Sequence, residues 1–236
     1  MCGRFVQGMT SDEVSEFLSA VWSIEVVPPP TEVPMSFNLT SGQLASVVTS
    51  RPEDDDRLFL SGLTWGIDAF SPPNRPPIKP INARIETASV KPTFRQLFRS
   101  NHCIVPASGY FEWKQSAPSS KKQPYFIHHQ DGSEMFLAGL WSPTRNESPS
   151  SFVILTTESK DHLCEVHDRM PVILQSDDAL KWVKGELELT SEVVTKTIVT
   201  FGIVMTKVST KVNNPKNNSA DLLEPVSEYL GEQGIF

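Results

Sequence analysis

The sequence predicts an α+β fold: one domain on a largely antiparallel sheet with few helices. Three observations carry the prediction. Seven short runs rich in β-branched and aromatic residues (LASVVTS, LFLSGLTW, HCIVPA, GYFEWK, PYFIHH, EMFLAGLW and SFVILTT) follow one another, bounded by Gly, Pro, Ser or Asp. No regular helical crossover separates them, as a doubly wound parallel sheet would require. The 236 residues show no internal repeat and no break in composition, and a chain of this length buries a workable core.

Along the chain, Thr10 with Glu13 three residues later forms a capping box, and Val14, Phe17, Leu18 and Val21 then recur at helical spacing. This predicts a helix over 11–22. The proline-rich VVPPPTEVPM at 26–35 stops it, and SPPNRPPIKP at 71–80 is a second connector. RPEDDDR at 51–57 reads as a surface loop and KGELELTSEV at 184–193 as an exposed face. INARIET at 81–87 reads as a strand. Gln130-Asp131-Gly132, between PYFIHH and EMFLAGLW, signals a hairpin, because Asp-Gly supplies the positive φ of a tight turn. Ser176 starts a short helix that Gly185 ends.

Composition excludes several classes. A net charge of −7 argues against a protein that coats nucleic acid through a broad basic surface, while leaving room for a local basic cleft. No apolar run approaches the roughly 18 residues of a membrane span. The amino terminus turns polar before any signal-peptide core develops, so nucleus or cytoplasm is the expected compartment. Cys2, Cys103 and Cys164 form an odd set without a CxxC pair, which suggests neither a disulfide framework nor a zinc site. Cys103 and Cys164 read as buried structural thiols.

Four stretches place polar groups where a buried strand prefers apolar ones: MCGRF at 1–5, INARIET at 81–87, ASGYFEWK at 107–114 and VHDRMPVIL at 166–174. Cys2 stands there by chance, or because removal of Met1 would leave one residue bearing a free α-amine and a thiol. Glu112 points away from Phe111 and Trp113 on a strand; it either faces solvent or lines a cleft where desolvation suits it to acid–base work. His167 is a satisfied structural histidine or a proton shuttle. Arg84 and Glu86 share a strand face and pair with each other, or Arg84 joins Arg169 in holding phosphate oxygens.

Met-Cys-Gly-Arg at the amino terminus, Asn-Ala-Arg-x-Glu, Gly-Tyr-Phe-Glu-Trp and His-Asp-Arg-Met-Pro, in this order and across essentially the whole chain, resemble the SRAP family of SOS-response-associated peptidases, or abasic-site processing proteins. FN at 37–38, TWG at 64–66, KKQPYFI at 121–127 and VNNPKNNSADLLEPV at 212–226 add to the likeness. The resemblance implies a barrel-like sheet in a single domain over 1–230, with 231–236 a short tail. It implies a partner, single-stranded DNA containing abasic sites, with contact to the replication machinery. Neither cofactor, metal nor membrane is expected, and the chain is expected to be a monomer.

The resemblance also assigns residues. Cys2 would join covalently to the aldehyde of an abasic site, its amine forming an imine and its thiol closing a thiazolidine. Glu112 and His167 would move protons, and Asn38 would orient the terminal residue. Arg4, Asn82, Arg84 and Arg169 would hold the strand, and Trp65 or Phe70 would stack on a base. Two departures bear on this. The chain reads GIDAFSPP where the family continues Leu-x-Pro-x-Trp, and NLTSG where it has Asn-x-Ala/Ser-Pro. The rival readings are a thiol autopeptidase or amidase with Cys2 as an amino-terminal nucleophile, and a non-catalytic single-strand DNA binder whose cleft only shields lesions.

Overall fold

A computed structural model describes residues 2–68, 79–115, 121–144 and 149–226. The strands are β1 (Arg4–Gln7), β2 (Glu25–Val27), β3 (Ser36–Thr40), β4 (Leu44–Arg51), β5 (Asp54–Trp65), β6 (Asn82–Arg84), β7 (His102–Ala107), β8 (Gly109–Lys114), β9 (Gln123–His129), β10 (Met135–Ser142), β11 (Ser151–Glu158), β12 (Arg169–Pro171), β13 (Ile173–Leu174) and β14 (Ile203–Lys207). The helices are α1 (Ser11–Trp22), α2 (Ile85–Ala88), α3 (Leu97–Ser100), α4 (Ser176–Val183) and α5 (Ser191–Thr197).

Two sheets make a single α+β domain. One runs β14-β9-β8-β1-β3, and the other runs β12-β11-β10-β7-β4-β5-β2, with β13 on β10 and β6 on β11. Pairing is antiparallel throughout except for β2–β5, β6–β11 and β5–β11. The β5–β11 contact pairs Ser151 with Thr64 and Phe152 with Trp65. It closes β5, β4, β7, β10 and β11 into a ring. Two residue pairs are a short seam, so the ring is not a clean barrel.

The ring explains why its strands read as unbroken apolar runs. Val47, Cys103, Val105, Leu137 and Ile154 fill its interior, while their neighbours Val48, Ile104, Ala138 and Val153 pack outward. A strand buried on both faces has no polar side to alternate with. The outward layer is covered by α1 and α4, through Leu18, Trp22, Trp182 and Val183. Burying each large side chain of this kind contributes about 1.5–3 kcal/mol. The predicted capping box starts α1: Thr10 Oγ1 accepts from Glu13 N, and the Glu13 carboxylate accepts from Thr10 N at 2.8 Å.

Several expectations are corrected. Gly132 does take a positive φ of 75° and donates its N–H to His129 O at 3.0 Å, but the flanking strands do not pair. β9 lies between β8 and β14, while β10 lies in the other sheet, so the turn carries the chain from one sheet to the other. RPEDDDR is the tip of a β4–β5 hairpin, with Arg51 opposite Asp54, and β5 already begins at Asp54. INARIET is a strand only to Arg84; α2 follows, so Arg84 and Glu86 do not share a strand face. In KGELELTSEV, Leu189 is fully buried and α5 begins at Ser191. Cys103 is buried as expected, whereas Cys164 is exposed, its Sγ 3.0 Å from Ser159 O. The expected boundary at 230 lies outside the described residues.

Candidate active site at the amino terminus

β1 runs between β3 and β8, pairing Phe5 with Leu39 on one side and with Tyr110 on the other. This carries Cys2 into the apolar cluster that holds Phe5, Tyr110 and the ring interior, where it is fully buried. Burial pushes the Cys2 thiol far above its ordinary range, and the Glu112 carboxylate adds to the rise. Burial therefore favours the neutral thiol over the thiolate.

Glu112 sits on β8 two residues beyond Tyr110, on the same strand face, and is 4% exposed. Phe111 packs on the other side with Val6 and Phe126. β8 is thus buried on both faces, and the solvent-facing reading of Glu112 is excluded. Burial pushes the Tyr110 hydroxyl well above its ordinary range, and the nearby Cys2 and Glu112 groups add to the rise, which places the three groups together.

Asn82 begins β6 and donates from Nδ2 to the Cys2 carbonyl at 2.7 Å. Its Oδ1 is buried without a hydrogen-bond partner among the described residues. β6 lies along β11, with Asn82 opposite Ile154 and Arg84 opposite Thr156. Arg84 is exposed. On the other edge of β11, Thr156 pairs with Pro171 of β12, so the NAR and HDRMP segments flank one strand.

His167 precedes β12 with its side chain one-third exposed. Its Nδ1 is 2.7 Å from Asp168 Oδ1 and 3.0 Å from the Arg169 amide nitrogen. With the proton on Nε2, Nδ1 accepts from that amide; with a proton on Nδ1, it donates to Asp168. Lys114 Nζ reaches Glu165 Oε2 at 3.1 Å, tying the end of β8 to the segment just before His167.

Arg169 is 7% exposed. It donates to both Glu86 oxygens, at 2.7 and 2.9 Å, and to Thr156 O at 2.7 Å. A guanidinium so engaged does not present its fork to a phosphate. Arg4 is likewise held internally, donating to Asn38 Oδ1 at 3.1 Å, to Asn213 O at 3.0 Å and to Val212 O, with its guanidinium carbon 5.4 Å from the Trp113 ring centre. Asn38 is 1% exposed and donates to the carbonyls of Val212, Asn214 and Asn217. Its recorded bonds therefore fasten the 212–217 segment and Arg4, while Asn82 is the residue that grips Cys2. Trp65 is 1% exposed, edge-on to Phe5 with ring centres 4.9 Å apart, and donates to Ile81 O at 2.9 Å. It belongs to the core and has no face for a base. Phe70 lies outside the described residues. No cluster of His, Cys, Asp or Glu able to hold a metal occurs among the described residues.

Comparison with known proteins bears directly on this arrangement. A family profile described as "SOS response associated peptidase (SRAP)" matches residues 1–215. The chain belongs to the SRAP family. It is 31% identical over 233 residues to the abasic site processing protein YedK of Escherichia coli, covering 96% of this chain and all of that one. It is also 31% identical to the abasic site processing protein YoaM of Bacillus subtilis, covering 95% and 98%. A crystal structure of a Bacteroides thetaiotaomicron protein superposes with a TM-score of 0.69 at 20% identity, covering 96% and 100%. That likeness shows a shared fold alone.

Sequence reading missed two roles in this SRAP chain. Asn82, expected beside Arg84 at the DNA, instead donates to the Cys2 carbonyl, while Arg84 two residues on is exposed. The i, i+2 spacing of Arg84 and Glu86 mimics a strand pair. The onset of α2 sends Glu86 to Arg169 instead, and nothing in the local pattern marks that turn.

Proposed function

We propose that the protein processes abasic sites in single-stranded DNA by joining them covalently to Cys2 after removal of Met1. The α-amine of Cys2 attacks the C1′ aldehyde of the ring-opened sugar, and loss of water leaves an imine. The thiol then adds its sulfur to the imine carbon and its proton to the nitrogen, closing a thiazolidine. Glu112 relays protons at the nitrogen, and His167 exchanges a proton with the sugar oxygen as its ring opens.

The observation that carries this reading is Cys2 held by Asn82 at its carbonyl, with Glu112 beside it in a desolvated setting. The neutral thiol suits a sequence in which the amine reacts first and the S–H supplies both sulfur and proton. The names of the E. coli and B. subtilis relatives agree with abasic-site processing. Exposed Arg84 is the group best placed to meet a flanking phosphate.

The test is incubation with a single-stranded oligonucleotide bearing one abasic site, read on a denaturing gel. Wild type gives a shifted band that survives denaturant, and Cys2→Ala and Cys2→Ser give none while retaining reversible binding. A band of wild-type intensity from Cys2→Ala would overturn the proposal.

A further inference from the structure

At the end of β9 remote from Tyr125, the residue paired with Glu112, the surface opens into a groove of about 650 Å³. One wall is the α1 face carrying Phe17 and Val21, and the floor includes Phe136. Val21 is 42% exposed, and Phe201 at the rim is 95% exposed. Phe201 is not on a loose strand end. Its turn is closed by Ile203 N donating to Thr200 O at 3.3 Å, and is tied to the neighbouring turn by Gln130 N donating to Gly202 O at 2.7 Å. A large aromatic ring is thus held out in water by a fixed backbone, the arrangement of a surface that completes itself against a partner.

The charge of the groove narrows that partner. Glu134 and Asp131 line it, and no Lys or Arg is among the described lining residues. Glu134 Oε1 accepts from Ser108 Oγ at 2.7 Å. Burial pushes the Glu134 carboxyl up, and burial also pushes the neighbouring His129 imidazole down, so that His129 supplies no compensating charge. A cation brought against Glu134 would favour its ionised form, whereas a DNA phosphate would be repelled by Glu134 and Asp131.

We propose that this groove docks a protein segment that presents a large apolar side chain beside a lysine or arginine. The apolar group fills the space between Phe201 and α1, and the cation meets Glu134. The inference does not depend on the chemistry at Cys2.

The experiment is selection of a phage-displayed random dodecapeptide library on the full chain, followed by fluorescence polarisation with a labelled peptide of the enriched sequence. Enriched peptides should pair an apolar residue with Lys or Arg. Phe201→Ser and Glu134→Gln should each weaken the labelled peptide at least tenfold, with unchanged circular dichroism and without loss of DNA linkage. Abasic oligonucleotide should not compete. Failure to enrich, enrichment without a cationic residue, insensitivity to both variants, competition by the oligonucleotide, or a concentration-dependent dimer abolished by Phe201→Ser would each overturn it.

Discussion

Replacing Glu86 by alanine separates two roles for Arg169, an internal brace or a contact to DNA. The Arg169 side chain is 8% exposed and makes two charge-assisted bonds to Glu86, whose side chain is 34% exposed. Breaking a fully buried pair by removing one partner costs about 3–5 kcal/mol. Here Thr156 O still accepts from Arg169, and water reaches the Glu86 side, so the loss should be about 2–3 kcal/mol. In a chain of this length each kcal/mol lowers Tm by about 2–4 °C, which predicts a fall of about 4–12 °C. Urea unfolding of wild type, Glu86→Ala, Arg169→Met and the double variant measures the coupling directly. The pH dependence gives a second reading. Partial burial alone would raise the Glu86 carboxyl, but the Arg169 hydrogen bonds, with the Arg169 and Arg84 charges, outweigh it and hold it below its ordinary value. Its contribution is therefore present above the unfolded carboxyl value of about 4.3 and disappears as pH falls through the folded one, so the gap to Glu86→Gln should close below about pH 4. A Glu86→Ala protein within about 0.5 kcal/mol of wild type, with DNA binding lost, would refute the brace.

Asn82→Ala should cost about 0.5–1.5 kcal/mol of stability by removing the bond to the Cys2 carbonyl, yet slow DNA linkage by about tenfold or more, because displacing a reactive group is dearer in rate than in folding. Single-turnover gel assays beside urea melts check it; equal rates would remove its positioning role. Binding of an abasic oligonucleotide should weaken with log salt at a slope of about −0.7 per phosphate neutralised, and Arg84→Ala should reduce the slope by about one such step while Arg4→Ala does not. Glu134, with its folded carboxyl raised by burial, favours the folded state below its unfolded value and loses that favour as pH rises through its folded one. Glu134→Gln should accordingly be more stable than wild type at pH 7 and converge with it in acid, as thermal melts at both pH values would record.

The strands of the ring were legible because both of their faces are buried, which writes long apolar runs into the sequence. The start of α1 was legible because a capping box is a local signal. Sheet membership was not. Asp131-Gly132 specifies a turn, but whether β9 and β10 then pair depends on Ile203 and Ala107, which are distant in sequence and lie opposite His129 and Met135. The same limit applies to the site. Cys2, Glu112 and His167 stood out as polar groups in apolar runs, and the structure brings Cys2 and Glu112 together. The partners of Arg4, Asn38 and Arg169 could not be read, since each depends on a segment remote in sequence: 212–217 for the first two and Glu86 for the last.

The most direct measurement is peptide mapping by mass spectrometry of the species formed with abasic single-stranded DNA. The account predicts a peptide that begins at Cys2, lacks Met1 and carries the sugar on its first residue with one water lost. A DNA adduct on a chain that still begins with Met1, or attached at any other residue, would contradict it.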